Sequence, residues 1–336
     1  MQLRRRVVLG MGAWGSLLAL AACASDDSDD SGDGGDAVNT VPAQGFVDPN
    51  HLALSADGAR LMALVADGVG VWSTSDGSRT TTFDVAVTEG LAVAPKGDLV
   101  AVGGTRARIH LLDATSGDEV RVLTGHAADA SLRTLCFSPD GSRLASADED
   151  GRVLLWEVAD GSSTPVDLGD AHPASLAFDH RGATLAVGAL DGPLQLVDAA
   201  RGTVTRTLDA LPQQGVSVSF SGDGRWLATA ISATPKPGRV ALVDTRTWQS
   251  ARDLVTDLSP RSVVVSPDSQ TVAVCDRRTK GVRLAPVAGG EVRTLETPDD
   301  TPRSVAWSPD GTTLYALGER LVAVDVESGK ITRELT

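Results

Sequence analysis

The chain is poor in cysteine, in aromatic residues and in positive charge. Three Cys in 336 residues cannot build a disulfide framework or a Cys-rich zinc site. Five scattered His, none in an HxH or HxxxH pair, leave little material for a metal centre, and no cofactor is expected. Thirty Lys+Arg against 44 Asp+Glu give a net charge of −14. That argues against sequence-independent nucleic-acid binding, which needs a basic footprint. Aromatics are only 4% of the residues, and no 11-residue window keeps a convincing helical period. What remains is an apolar fraction of 42%, enough for a sizeable core.

The N-terminal residues read as an export segment. Arg4, Arg5 and Arg6 precede the apolar stretch Val7 to Ala22, which is 16 residues long and holds Gly10, Gly12 and Gly15. A spanning helix needs about 20 apolar residues, so this is a signal peptide over residues 1–22 rather than a membrane anchor. It ends in Leu20-Ala21-Ala22-Cys23, which resembles the bacterial lipobox. The resemblance implies that the Cys23 thiol is lipidated and becomes the mature N-terminus. Arg5-Arg6-Val7-Val8-Leu9 also resembles a twin-arginine signal, so the export route stays open. Residues 23–45 then form an acidic linker. Asp26, Asp27, Asp29, Asp30, Asp33 and Asp36 stand among Ser and Gly, and such a segment cannot bury enough surface to offset its ordering entropy. Residues 1–45 hold three Arg and six Asp, so residues 46–336 carry −11 of the net charge.

The rest of the chain repeats. A turn signal recurs at Ser55-Ala56-Asp57-Gly58, Ala94-Pro95-Lys96-Gly97, Ser138-Pro139-Asp140-Gly141, Asp179-His180-Arg181-Gly182, Ser221-Gly222-Asp223-Gly224, Ser266-Pro267-Asp268-Ser269 and Ser308-Pro309-Asp310-Gly311. The fourth positions are 39, 44, 41, 42, 45 and 42 residues apart. An apolar strand such as Leu135-Cys136-Phe137 precedes each turn, and Leu144-Ala145-Ser146-Ala147 typifies the strand that follows. A third strand (Val153-Leu154-Leu155-Trp156) and a more polar fourth complete the unit. Four short antiparallel strands per period of about 42 residues predict an all-β, seven-bladed propeller over residues 46–336. The most apolar strand is expected to line the channel. The most polar is expected at the outer edge, where charge blocks edge pairing. Ile331 to Glu334 supplies repeat 7 with its own fourth strand, so blade 7 is expected to close directly on blade 1. An added strand from Gln44 to Val47 is the alternative.

These motifs resemble the WD-repeat family. Repeat 3 carries the likeness best, with Gly125-His126, Ser138-Pro139-Asp140-Gly141, Ser146, Asp150-Gly151 and Trp156-Glu157. Thr313-Leu314-Tyr315 and Val324-Asp325-Val326-Glu327-Ser328-Gly329-Lys330 are similar to YVTN-type surface propellers. The WD resemblance implies that His126, Ser146, Asp150 and Trp156 form a buried hydrogen-bonded chain within one blade. A hydroxyl committed to an indole is not an exposed nucleophile, and no G-x-S-x-G elbow presents it. Cys136 and Cys275 fall in repeats 3 and 6 and are expected unpaired, as small buried hydrophobes.

One pattern points to binding. The residues five before each turn, where the chain starts its channel-lining strand, are Asn50, Glu89, Arg133, Ala174, Val216, Arg261 and Arg303. Thr234-Pro235-Lys236-Pro237-Gly238-Arg239 and Asp276-Arg277-Arg278-Thr279-Lys280 are expected to open on the same face. Arg133, Arg261, Arg303, Arg277 and Arg278 thus form a candidate mouth for a carboxylate, a phosphate or an acidic segment. The expectation is a monomeric, non-enzymatic, lipid-anchored scaffold outside the cytoplasm, binding a protein or another cell-envelope component. The alternative is a lactonase-like enzyme or small-molecule receptor with its site at the channel mouth.

Overall fold

The computed structural model describes residues 52–208, 215–232, 237–298 and 301–336, with only the backbone at 87, 88, 215 and 216. The export segment, Cys23, the linker, Asn50, the Gln44–Val47 alternative and Thr234 to Lys236 lie outside the described residues. Seven sheets of four antiparallel strands follow one another along the chain, each in simple sequential order. Blades 1 to 7 span residues 52–83, 87–123, 132–166, 173–208, 215–258, 260–295 and 304–335. The architecture is therefore the predicted seven-bladed, all-β propeller. Among the described residues the one helical turn is Thr105–Ala107.

Each blade folds around its turn for local chemical reasons. In Ser138-Pro139-Asp140-Gly141 the Ser138 hydroxyl donates to Asp140 Oδ1 at 2.6 Å and accepts the Arg143 amide at 2.9 Å. Asp140 Oδ1 also accepts the Ser142 amide at 3.0 Å. The same hydroxyl–carboxylate pair closes the turns at Ser55, Ser221, Ser266 and Ser308. Blade 4 reaches the same end with a carboxylate alone, since Asp179 Oδ1 takes the amides of Ala183 and Thr184. These bonds satisfy the backbone where two strands reverse direction.

The inner strands of five blades surround a channel cavity of about 510 Å³, bordered by Leu52, Ser175, Ser217, Val263 and Val305 among others. The fourth strand of each blade is the outer edge and is largely exposed, as in Glu119–Leu123 and Ile331–Leu335. Between neighbours, hydroxyls stitch one inner strand to the next: Ser175 Oγ accepts the Val218 amide, Ser217 Oγ that of Val263, and Ser219 Oγ that of Val265.

Among the described residues, blades 7 and 1 meet directly. Blade 7 has its own outer strand, Ile331–Leu335, and packs on blade 1 through a cluster containing Leu61, Trp72, Tyr315, Leu317 and Leu335. Trp72 Nε1 donates to the Thr336 carbonyl at 3.2 Å. At the inner turns, Gly58 has φ +71°, and a Cβ there would lie 2.8 Å from Pro309 Cδ. Both the left-handed backbone and the close approach of blade 7 require glycine at this seam.

Candidate functional site

Blade 3 holds the four-membered hydrogen-bond chain, with one correction. Trp156 Nε1 donates to Ser146 Oγ at 2.8 Å, and Ser146 Oγ lies 2.6 Å from His126 Nε2. The carboxylate that receives His126 Nδ1, at 2.7 Å, is Asp148 Oδ2, not the expected Asp150. The register shifts between Ala147 and Asp148 as the strand ends, which turns Asp148 inward and leaves Asp150 exposed. The His126 and Asp148 side chains are both 0% exposed. Burial works to raise the Asp148 pKa, but hydrogen bonds from His126 and the Arg152 amide outweigh it and hold the carboxyl below its ordinary value. The indole can only donate and the carboxylate can only accept. The hydroxyl therefore donates to Nε2 and the imidazole donates from Nδ1. Gly125 belongs to the same assembly, because a Cβ there would lie 2.8 Å from the Trp156 ring.

This geometry commits every polar group of the blade 3 Ser/His/Asp constellation. Ser146 is fully buried between strands, so its hydroxyl cannot meet a substrate. Cys136 and Cys275 are free thiols on the inner strand of blade 3 and the second strand of blade 6. Burial pushes their pKa values up to about 11 and about 12, which keeps both protonated and unreactive. Among the described residues no group of His, Cys, Asp and Glu could hold a metal ion.

The arginines gather at one end of the inner strands, though not as a single ring. Arg261 is the second residue of Pro260–Val265, and Arg303 immediately precedes Ser304–Trp307. These two strands are neighbours in the ring. Arg277 follows the second strand of blade 6, Thr271–Asp276. Its amide donates to the Ser259 carbonyl at 3.0 Å, which places it beside the start of the strand bearing Arg261. Burial lowers the Arg261 pKa, and the Arg277 and Arg303 guanidiniums lower it further. Arg261 Nε is buried without a hydrogen-bond partner. Arg261 and Arg303 are half-buried and Arg277 is exposed.

Arg133 and Arg278 have other surroundings. Arg133 stands by Glu89, which occupies the same repeat position in blade 2. Burial raises the Glu89 pKa, Arg133 opposes that rise and Glu149 adds to it. Arg278 is exposed and ion-paired at 3.4 Å with Asp257, at the end of the outer strand of blade 5. The seven-position pattern therefore resolves into a basic arc on blades 6 and 7 and a mixed arc on blades 2 and 3. Buried Ala174 adds no charge between them. Sequence reading overlooked Glu89 and Asp257 as counter-charges, although Glu89 stands at the same repeat index as Arg133 one blade earlier.

Comparison with known proteins agrees with this architecture. The "WD domain, G-beta repeat" family matches residues 117–157, from the last turn of blade 2 through three strands of blade 3. "Protein hir1" of Aspergillus terreus is 23% identical over 333 residues, covering 83% of this chain and 32% of that protein. "WD repeat-containing protein SL1-17" of Schistosoma mansoni is 33% identical over 135 residues, covering 40% of this chain and 44% of that protein. The chain thus spans less than half the length of these relatives. A solved chain of the mitotic checkpoint complex superposes with a TM-score of 0.71 at 19% identity, covering 92% of this chain and 99% of that one. A chain of Kuenenia stuttgartiensis hydrazine synthase does so with a TM-score of 0.69 at 16% identity, covering 84% and 97%. At these identities the superpositions show the fold alone. The protein is a seven-bladed β-propeller of four-stranded antiparallel blades that carries a WD repeat at residues 117–157.

Proposed function

We propose that this propeller is a non-enzymatic protein-binding scaffold, exported from the cytoplasm and held at the membrane surface as a monomer through lipidated Cys23. The observation that carries the reading is the closed state of blade 3. The blade 3 array of a hydroxyl, an imidazole and a carboxylate is spent on holding strands together, while the cationic side chains at the start of the inner strands of blades 6 and 7 remain available. A rigid ring with unspent donors at one face suits recognition better than bond breaking. A binding role also accords with the origin of one matched solved chain, a protein complex. The anchor reading rests on the charged n-region, the apolar run and the Leu20-Ala21-Ala22-Cys23 motif. Two acyl chains hold a protein stably at a membrane where one holds it marginally.

The test uses intact cells expressing the full chain. Labelled fatty acid should enter the protein, and Cys23→Ala should abolish the label and move the protein out of the lipid-anchored membrane fraction. In-cell cross-linking should recover a reproducible protein partner. An unlabelled, soluble wild-type protein would overturn the anchor. Hydrolysis of lactones or esters by purified protein, lost in Ser146→Ala, would overturn the scaffold reading.

A further inference from the structure

We propose that the blade 6–7 arginine cluster docks carboxylates of an acidic peptide segment of the partner. The proposal rests on the scaffold reading above and names what the face recognises.

Three features support it. Arg261, Arg277 and Arg303 come from three chain segments, yet adjacent strands place them at one end of the ring. Several other arginines of this acidic chain find carboxylates, as in the pairs Arg79–Asp67, Arg143–Glu157, Arg239–Asp253 and Arg278–Asp257, and others bond backbone carbonyls, as Arg121 and Arg252 do. Among the described residues no carboxylate lies within ion-pair distance of Arg261, Arg277 or Arg303. Arg261 Nε is a buried donor with no acceptor, as are those of Arg79, Arg133 and Arg239, but Arg79 and Arg239 have a carboxylate on the same guanidinium and Arg261 has none among the described residues. Burial and the neighbouring Arg277 and Arg303 guanidiniums outweigh the opposing pull of buried Asp276 and leave the Arg261 pKa lowered. An arriving anion relieves that repulsion, which makes its binding stronger than at a lone arginine.

The surroundings select the kind of anion. The same face carries Glu89 and Glu149 on blades 2 and 3, and on blade 7 exposed Glu319, two residues past Leu317, whose carbonyl accepts the Arg303 amide. The propeller region as a whole is strongly acidic. A polyanion spread over the face, such as a nucleic acid or an anionic bilayer, meets repulsion outside the cluster. A short segment bringing one or two carboxylates to blades 6 and 7 does not. The planar guanidinium fork matches a carboxylate through two parallel hydrogen bonds.

The test is fluorescence anisotropy on the detergent-solubilised full chain. The probes are a labelled Glu-Gly repeat peptide and its Gln-Gly counterpart, with inorganic phosphate as competitor. The Glu peptide should bind at least about tenfold more tightly than the Gln peptide, the worth of one charge-assisted contact, and should weaken with salt. Arg261→Ala/Arg303→Ala should weaken it at least about tenfold. Arg277→Ala, an exposed change that leaves the fold intact, should weaken it in the same direction. Arg133→Ala should leave it unchanged. Should the double alanine variant misfold, Arg261→Lys/Arg303→Lys keeps the charge, removes the fork and should still weaken binding. Unchanged affinity in Arg277→Ala and in a folded variant of the pair would overturn the proposal. So would displacement by phosphate at the same concentration as free glutamate peptide, which would mark a free-anion site. Capture of one cellular partner equally by wild type and the folded double variant would sink the docking proposal and leave the scaffold reading standing. Absence of any partner for wild type would sink the scaffold reading itself.

Discussion

Trp72 of blade 1 donates its indole N–H to the carbonyl of Thr336, 264 residues later, so among the described residues a side chain bridges the two ends of the ring. A propeller closed this way depends on packing at one seam. Leu335 and Tyr315 are buried there with Leu61 and Trp72, and the Arg333 guanidinium donates to the Thr74 carbonyl. Trp72→Phe keeps most of the buried ring and removes one hydrogen bond, so it should cost about 0.5–1.5 kcal/mol. Trp72→Ala should cost about 3–5 kcal/mol. Thermal denaturation of both variants checks the order. Equal losses would show that the indole bond contributes nothing to closure.

The blade 3 network makes a residue-level distinction that stability measurements can read. His126→Ala leaves the Asp148 carboxylate and the Ser146–Trp156 pair without their partner in a buried site, and should cost about 1–3 kcal/mol. Asp148→Ala should cost a comparable amount. Asp150→Ala, at an exposed turn position, should stay within about 0.5 kcal/mol of wild type. Chemical denaturation of the three variants tests the assignment. A costly Asp150→Ala with a silent Asp148→Ala would reverse it.

That distinction marks how far the sequence could be read. Blade number and turn chemistry were legible, because a four-residue turn signal, Ser-x-Asp-Gly in four of the seven repeats, recurs at a nearly constant interval and its residues have local jobs. The choice between Asp148 and Asp150 was not, because a one-residue register shift at the strand end decides which carboxylate points inward. A repeat index gives a strand position, not a bulge. The basic mouth was legible in part for a related reason. Equal index correctly placed Arg261 and Arg303 together, but it says nothing of what neighbouring blades bring. Glu89 beside Arg133 and Asp257 beside Arg278 become visible only when blades are set side by side.

Acid should unfold the protein through its turns. Asp57, Asp140, Asp268 and Asp310 are all held below the ordinary carboxylate pKa, in each case first by the hydroxyl of the turn serine. Asp140 reaches about 2. A carboxylate whose folded pKa is depressed stabilises the native state above its unfolded value, near 3.9, and loses that contribution as pH falls through the folded value. The melting temperature should therefore change little in this respect above about pH 5 and decline between about pH 4 and pH 2. Asp140→Asn should lower stability at neutral pH and show a shallower acid decline. An acid profile identical in slope for Asp140→Asn and wild type would exclude this turn as a source.

The thiols should report folding. Cys275 is 0% exposed, and its burial-raised pKa of about 12 leaves almost no thiolate at neutral pH. An alkylating reagent should label Cys275 only after denaturant exposes it, with mass spectrometry locating the adduct. Labelling of Cys275 in native protein at a rate independent of denaturant would mean that blade 6 opens locally without global unfolding.

The hydroxyl seam between inner strands offers a matched pair of substitutions. Ser217 Oγ accepts the Val263 amide at 3.2 Å, bridging blades 5 and 6. Ser262, at the same repeat position in the next blade, is fully buried with a hydroxyl that meets no hydrogen-bond partner. Burying an unsatisfied hydroxyl costs roughly 1–3 kcal/mol, and alanine removes it while leaving a void of only one atom. Ser262→Ala should therefore be neutral or stabilising. Ser217→Ala strips a buried amide of its acceptor and should destabilise by about 1–3 kcal/mol. The contrast is informative because residue type, burial and repeat position are the same, so only the presence of a bonded amide differs. Urea denaturation of the two variants measures it directly. Equal destabilisation would show that the Ser262 hydroxyl is satisfied in solution, and that the inter-blade seam continues unbroken from blade 6 to blade 7.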